Sequence, residues 1–164
     1  MRAVVLADTH LRTGAPRRLP EPAFGILDTA DVILHAGDVL DQGILDGLAT
    51  IAPTYAVLGN NDHALVGILP LTRVLELDGV RVGMVHDGGT RQGRGARLHR
   101  RFPDAALVVF GHSHAPFDET GIDGQRLFNP GSPTQRRAEP RHTIGILDFA
   151  GGELRDHRIV VVDP

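Results

Sequence analysis

Two stretches decide how this chain is read: Ala3-Val-Val-Leu-Ala-Asp-Thr-His10 and Val32-Ile-Leu-His-Ala-Gly-Asp-Val-Leu-Asp41. In each, a short aliphatic run stops at a polar cluster. The same pattern recurs at Thr54–Leu58, Val80–Val85 and Ala106–Phe110. Short apolar runs bounded by polar residues predict strands buried on both faces. Glu21–Ala30 and Gln42–Ile51 lie between the first three, the latter with Ile44, Leu45, Leu48 and Ile51 at helical spacing. Alternation of strand and helix on this scale predicts right-handed crossovers and parallel strands.

Further along, the pattern changes. Arg73–Leu77 and Val80–Val85 flank Asp78-Gly79, a strong two-residue hairpin signal. Pro116–Thr120, Gln125–Phe128, Thr143–Phe149 and Glu153–Val162 are joined by Gly-rich turns and read as an antiparallel meander. The expectation is one α/β domain over residues 1–164, a parallel N-terminal half leading into an antiparallel C-terminal half. Leu11–Pro22 and Gly88–Gly95, rich in Gly, Pro and Arg, read as its loosest loops.

The polar clusters after the strands are Asp8-Thr9-His10, Gly37 to Asp41, Gly59-Asn60-Asn61-Asp62, Val85-His86 and Gly111-His112-Ser113-His114. In open α/β sheets, ligands bind beyond the carboxyl ends of strands. Taken singly, Asp8, Asp38 and Asn60 suit turns. Together, Asp8, His10, Asp38, Asn60, His86, His112 and His114 form a set of oxygen and imidazole donors for two divalent metals. Extended backbone would send each i, i+2 pair, Asp8/His10 and His112/His114, to one face. Asp41 reads as a helix-start carboxylate. His35 reads as a buried structural histidine, and His63 as a loop histidine able to donate a proton. Arg91, Arg94 and Arg97 read as solvated loop residues, with capture of an anionic substrate as the alternative.

Composition narrows the rest. The 164 residues suffice for a real core, and 41% are apolar with only seven aromatic side chains, so the core is aliphatic. There is no cysteine, which excludes disulfides, thiolate metal sites and cysteine nucleophiles. A net charge of −3 offers no strong nucleic-acid surface. No stretch is long enough for a membrane span or a signal-peptide core, so a cytoplasmic location is expected.

The order D-x-H, G-D-x-x-D, G-N-x-D, V-H, G-H-x-H, followed by Asn129-Pro130-Gly131-Ser132, resembles the calcineurin-like metallophosphoesterases, above all the small bacterial and archaeal phosphodiesterases. The resemblance implies a four-layered α/β/β/α sandwich. It implies a first metal on Asp8, His10 and His114, a second on Asn60, His86 and His112, and Asp38 bridging them. It also departs from the family. Many members carry a leaving-group acid, a histidine, where this chain has Asn61, and Gly where this chain has Asp87. Asn cannot act as that acid.

The activity so implied is hydrolysis of phosphoric esters, phosphodiesters first, by in-line attack of a metal-bridging hydroxide. Asp38, Asn60, His86, Asp62 and His63 are the candidate catalytic residues. Manganese is the expected cofactor, with iron, nickel, cobalt, zinc and magnesium as alternatives. A small phosphodiester or nucleotide-like substrate is expected, with no membrane partner and, from the family, a homo-oligomer. The rival readings are a phosphomonoesterase or nucleotide pyrophosphatase on the same site, and an interaction scaffold of the same fold, as in the small subunit of the retromer coat.

Overall fold

A computed structural model describes residues 1–163; Pro164 lies outside the described residues. Two five-stranded sheets face each other. The first has strand order β10-β9-β1-β2-β3, built from β1 (Arg2–Leu6), β2 (Val32–His35), β3 (Thr54–Ala56), β9 (Thr143–Ala150) and β10 (Glu153–Val161). The second has order β4-β5-β6-β8-β7, built from β4 (Thr72–Leu77), β5 (Val80–Val85), β6 (Leu107–Val109), β7 (Phe117–Thr120) and β8 (Arg126–Asn129). Strands β1, β2 and β3 pair in parallel, as do β5, β6 and β8; the flanking pairs are antiparallel.

Side-chain alternation along the strands sorts the core into layers. Ala3, Val5 and Leu34 point to the sheet–sheet interface, where they meet Val82, Met84, Val109 and Phe128. Val4, Leu6 and Ile33 point the other way, onto helices α1 (Glu21–Leu27) and α2 (Gln42–Ala49) through Ala23, Leu27 and Leu48. Across the second sheet, Val108, Phe110 and Leu127 pack on Leu98 and Phe102 at helix α3 (Arg94–Arg101). The four layers are α, β, β, α, as the resemblance implies. No helix among the described residues is long and apolar enough to cross a membrane.

Local chemistry sets the boundaries. Asp41 caps α2, its carboxylate accepting from the Gly43 amide at 2.8 Å, as its sequence position suggests. Helix α1 stops three residues short of the predicted Ala30, where the Thr29 hydroxyl turns back to the Ile26 carbonyl at 2.7 Å. Asp78 and Gly79 both take left-handed backbone, φ 49° and 81°, giving the tight hairpin between β4 and β5.

Two expectations need correction. The four C-terminal strands are not one meander. They form two hairpins, β7–β8 at the edge of the second sheet and β9–β10 returning to the first, because β1 has a free flank that β9 occupies from Arg2↔Asp148 to Val5↔Gly145. And Gly88–Gly95 is not simply a loose loop, since α3 begins at Arg94. The helix was hidden because its buried face includes an arginine. Arg94 is 9% exposed, with its guanidinium 4.9 Å from the Phe110 ring and 4.8 Å from the Phe117 ring.

Candidate metal centre

The seven donors gather at one edge of the sandwich, and both sheets contribute. The loops after β1, β2 and β3 bring Asp8, His10, Asp38 and Asn60; those after β5 and β6 bring His86, His112 and His114. The backbone does this in an unexpected way. Asp8, His10, Asp38, His112 and His114 all have left-handed φ, at 54°, 46°, 57°, 68° and 61°. The i, i+2 pairs therefore converge through tight turns, not through extended strand ends. Such conformations cost a non-glycine residue on the order of 1 kcal/mol or more each and must be held by their surroundings. Cross-links between loops hold them here: Asp8 N–H donates to Gly37 O at 3.0 Å, His10 N–H to Asp38 O at 2.9 Å, and Gly111 N–H to His86 O at 2.8 Å.

The glycines of the motifs follow from the same crowding. A Cβ on Gly111 would sit 2.9 Å from both the Ala7 Cβ and Asp8 Oδ2. One on Gly37 would sit 2.6 Å from His86 Nδ1. Neither position can take a side chain without moving a metal donor.

His10 Nε2 lies 3.3 Å from His114 Nε2, which lies 3.5 Å from Asp8 Oδ1. Asn60 Oδ1 lies 3.0 Å from His86 Nε2 and 3.0 Å from His112 Nδ1. Between the two groups stands Asp38, whose Oδ2 is 3.5 Å from His10 Nε2 and 3.5 Å from His86 Nε2. Asp8 is shared as well, because its Oδ1 is 4.0 Å from His86 Nε2. Ligands bound at about 2.1 Å to one ion stand roughly 3.0–3.4 Å from each other, so these spacings fit divalent metals.

The hydrogen bonding agrees with metal donation. His86 Nδ1 lies 2.7 Å from the Ala36 carbonyl and His114 Nδ1 contacts the Gln135 carbonyl. Donation from each Nδ1–H leaves the Nε2 lone pair facing inward. Asp8 Oδ2 is buried without a hydrogen-bond partner. Burial, helped by the Asp38 charge and opposed by His86, pushes the Asp8 carboxyl up to about 7. Burial lowers His10, and lowers His114 to about 4, so both stay neutral donors. Burial also works against a charged His86, but Asp38 and Asp8 outweigh it and raise its pKa. For Asp38 burial favours the neutral form, and the hydrogen bonds from His86 and Asn61 overcome it, drawing the carboxyl well below its ordinary range.

The other expected residues sort clearly. Asn61 donates its side-chain Nδ2–H to Asp38 Oδ2 at 2.7 Å and its backbone N–H to Asp38 Oδ1 at 2.8 Å, so it orients the central carboxylate. Asp62, expected among the catalytic groups, is buried behind the site. Its two oxygens accept from the amides of Asp38 (2.9 Å), Leu40 (2.7 Å) and Gly59 (2.7 Å), which makes it a positioning residue. His63 opens a short 3₁₀ turn, His63–Leu65, and is exposed beside the metal donors. Asp87 is exposed, its carboxylate accepting from the Gly89 amide. His35 is fully buried, with Nε2 3.0 Å from Thr9 Oγ1, and burial drives it down to about 3. Asn129 and Ser132 brace the ligands from behind, donating to Gly111 O and Asp8 O.

The arginines singled out by sequence face elsewhere. Arg94 and Arg97 donate to carbonyls of their own loop, at Gly89, Gly88 and Thr90, and Arg91 pairs with Glu119. Two arginines lie near His10: Arg137, which donates to His112 O at 3.3 Å and depresses His10, and Arg17, which depresses it more weakly. Both come from loops with no motif to mark them. On the side of Asn60, His86 and His112 opens a cavity of about 410 Å³.

Residues 1–152 match the calcineurin-like phosphoesterase superfamily domain. A probable metallophosphoesterase of Methanothermobacter thermautotrophicus is 35% identical over 95% of this chain and 90% of its own length. Among solved structures, Entamoeba histolytica Vps29 complexed with zinc superposes with a TM-score of 0.78 at 23% identity, covering 99% of each chain. An archaeal phosphodiesterase does so with a TM-score of 0.75 at 22% identity, covering 98% of this chain and 99% of its own. The chain belongs to the calcineurin-like phosphoesterase family, a family of metal-dependent phosphoesterases, and gathers candidate metal ligands at its sheet edge.

Proposed function

We propose that this chain is a phosphodiesterase working with two divalent metals, manganese first among them. The observation that carries the reading is the position of Asp38 Oδ2, equidistant at 3.5 Å from the imidazoles of two separate donor groups. Asp8, His10 and His114 would hold one ion, and Asn60, His86 and His112 the other. Bound there, a pair of divalent cations supplies Lewis acidity, an acidified water and the charge that draws a phosphate anion. Four positive charges against the two of Asp8 and Asp38 leave a surplus of two, which suits an anionic substrate.

The protein's own residues account for the rest. Carbonyls on the far side of His86 and His114 fix their tautomers, so these rings act as ligands and not as bases. Asn61 and Asp62 lock Asp38 through its side chain and its amide. Because Asn61 has no acidic proton to give and its amide is committed to Asp38, a leaving alkoxide must take its proton from His63 or from water. Good leaving groups are therefore favoured. The unpartnered buried oxygen of Asp8 and the five ligand residues held in left-handed turns support the enzyme reading over a docking scaffold.

The deciding experiment counts metal in protein purified without chelator and compares Mn²⁺-dependent hydrolysis of an aryl phosphodiester with that of its monoester. Two ions per chain and faster diester cleavage are expected. Fewer than two ions with neither ester cleaved would favour the scaffold, and a monoester preference would favour the phosphomonoesterase.

A further inference from the structure

The cavity beside Asn60, His86 and His112 has a chemistry of its own. One wall is apolar, made by Leu58, Val66 and Leu71, with Val66 and Leu71 each 67% exposed. Its polar side carries Asp87, Arg101 and His63. Arg101 ends α3 and makes no hydrogen bond or ion pair with any described residue. Arg101 and Asp87 thus line one cavity without pairing with each other. A volume of about 410 Å³ falls within the ~300–1,000 Å³ of small-ligand sites.

Each wall excludes something. Val66 and Leu71, open to water, and the half-buried Leu58 suit the face of a flat ring and give a second phosphate nothing to bind. Asp87 opposes any further anion, which argues against polyphosphate chains. A five-donor guanidinium beside a carboxylate matches a group whose edge presents acceptors and a donor together. A nucleobase with a carbonyl beside a ring N–H, such as thymine, meets both demands: arginine donates to the carbonyl oxygen, and a carboxylate takes the ring N–H. Resting on the phosphodiesterase reading, we propose that this cavity binds the nucleoside of a nucleotidyl phosphodiester, with Arg101 and the Leu71 wall as its specificity-determining residues.

The test uses two esters with the same phosphorus chemistry and the same leaving group, the p-nitrophenyl ester of thymidine 5′-phosphate and p-nitrophenyl ethyl phosphate, on the Mn²⁺-loaded protein. The nucleotidyl ester should have a kcat/KM at least tenfold higher. Arg101→Ala and Leu71→Gln should each cut that ratio to threefold or less, mainly by raising KM for the nucleotidyl ester. Calorimetry provides a readout apart from turnover: thymidine 5′-monophosphate should bind at least fivefold tighter than ethyl phosphate, and Arg101→Ala should remove the difference. Hydrolysis of both esters at equal efficiency overturns the cavity assignment and leaves the phosphodiesterase standing. Failure to hydrolyse either overturns the phosphodiesterase, and the titration then still judges the cavity: equal binding of the two monophosphates sinks it.

Discussion

Replacing Asp8 with Asn should stabilise the metal-free protein at alkaline pH, although it removes a metal ligand. The carboxyl is fully buried, one of its oxygens lacks a partner, and burial lifts it from 3.8 to about 7. A folded-state value raised above the unfolded one means that the native protein holds this proton more tightly. The stability it contributes is therefore complete below about pH 4 and is lost as the pH rises towards 7. At roughly 1.4 kcal/mol per pH unit, ionising Asp8 in place costs on the order of 4 kcal/mol by pH 8, of which about 2 kcal/mol is lost between pH 5 and 7. Asn fits the same backbone, since it tolerates left-handed φ, and its carbonyl can keep the 3.2 Å bond from the His112 amide. Urea unfolding of chelator-treated wild type and Asp8→Asn at pH 5 and pH 8 measures the difference. The variant should gain about 3 kcal/mol on the wild type between the two, and added Mn²⁺ should reverse the order at pH 8. A gap that stays constant with pH, or a variant less stable at pH 8, would refute the burial argument.

Other substitutions probe the supports. Asp62→Ala strands three amide donors, two of them buried, and should cost about 3 kcal/mol or more in urea unfolding while weakening metal binding through Asp38; a loss under 1 kcal/mol would mean that water replaces the carboxylate. Asn61→His should lower the ratio of aryl to alkyl diester turnover at least tenfold, because it restores an acid and releases Asp38; an unchanged ratio would show that no proton is limiting. Arg94→Ala loses contact with two aromatic rings and the bond to Gly89, which should cost about 2 kcal/mol and lower Tm by about 4–8 °C in calorimetry without altering metal stoichiometry.

What the sequence makes legible follows from how local each signal is. Val80–Val85 is rich in valine, is preceded by Asp-Gly, and forms a strand with those bounds. The donor residues stand out because each follows a strand, and strand ends converge wherever sheets are built this way. The helix at Arg94–Arg101 left no apolar stripe, since only Leu98 and the buried Arg94 face inward. The split between the two C-terminal hairpins depends on β9 finding the open flank of β1, a pairing across more than 140 residues that no local pattern encodes. Arg17, Arg101 and Arg137 reach the site from distant loops and a helix end, where one arginine reads like any other. The left-handed turns were equally hidden, because Asp and His carry no mark of the fold that forces them there.

Those turns bear on how the protein can change. Asparagine is the non-glycine residue most at ease in that backbone region. In the genetic code every Asp codon and every His codon is one nucleotide from an Asn codon. Each of Asp8, His10, Asp38, His112 and His114 can therefore lose its charge or its imidazole in a single mutational step while its loop keeps its shape. A lineage of such chains could give up metal chemistry gradually, one donor at a time, and still inherit an intact sheet edge on which a new use can be built.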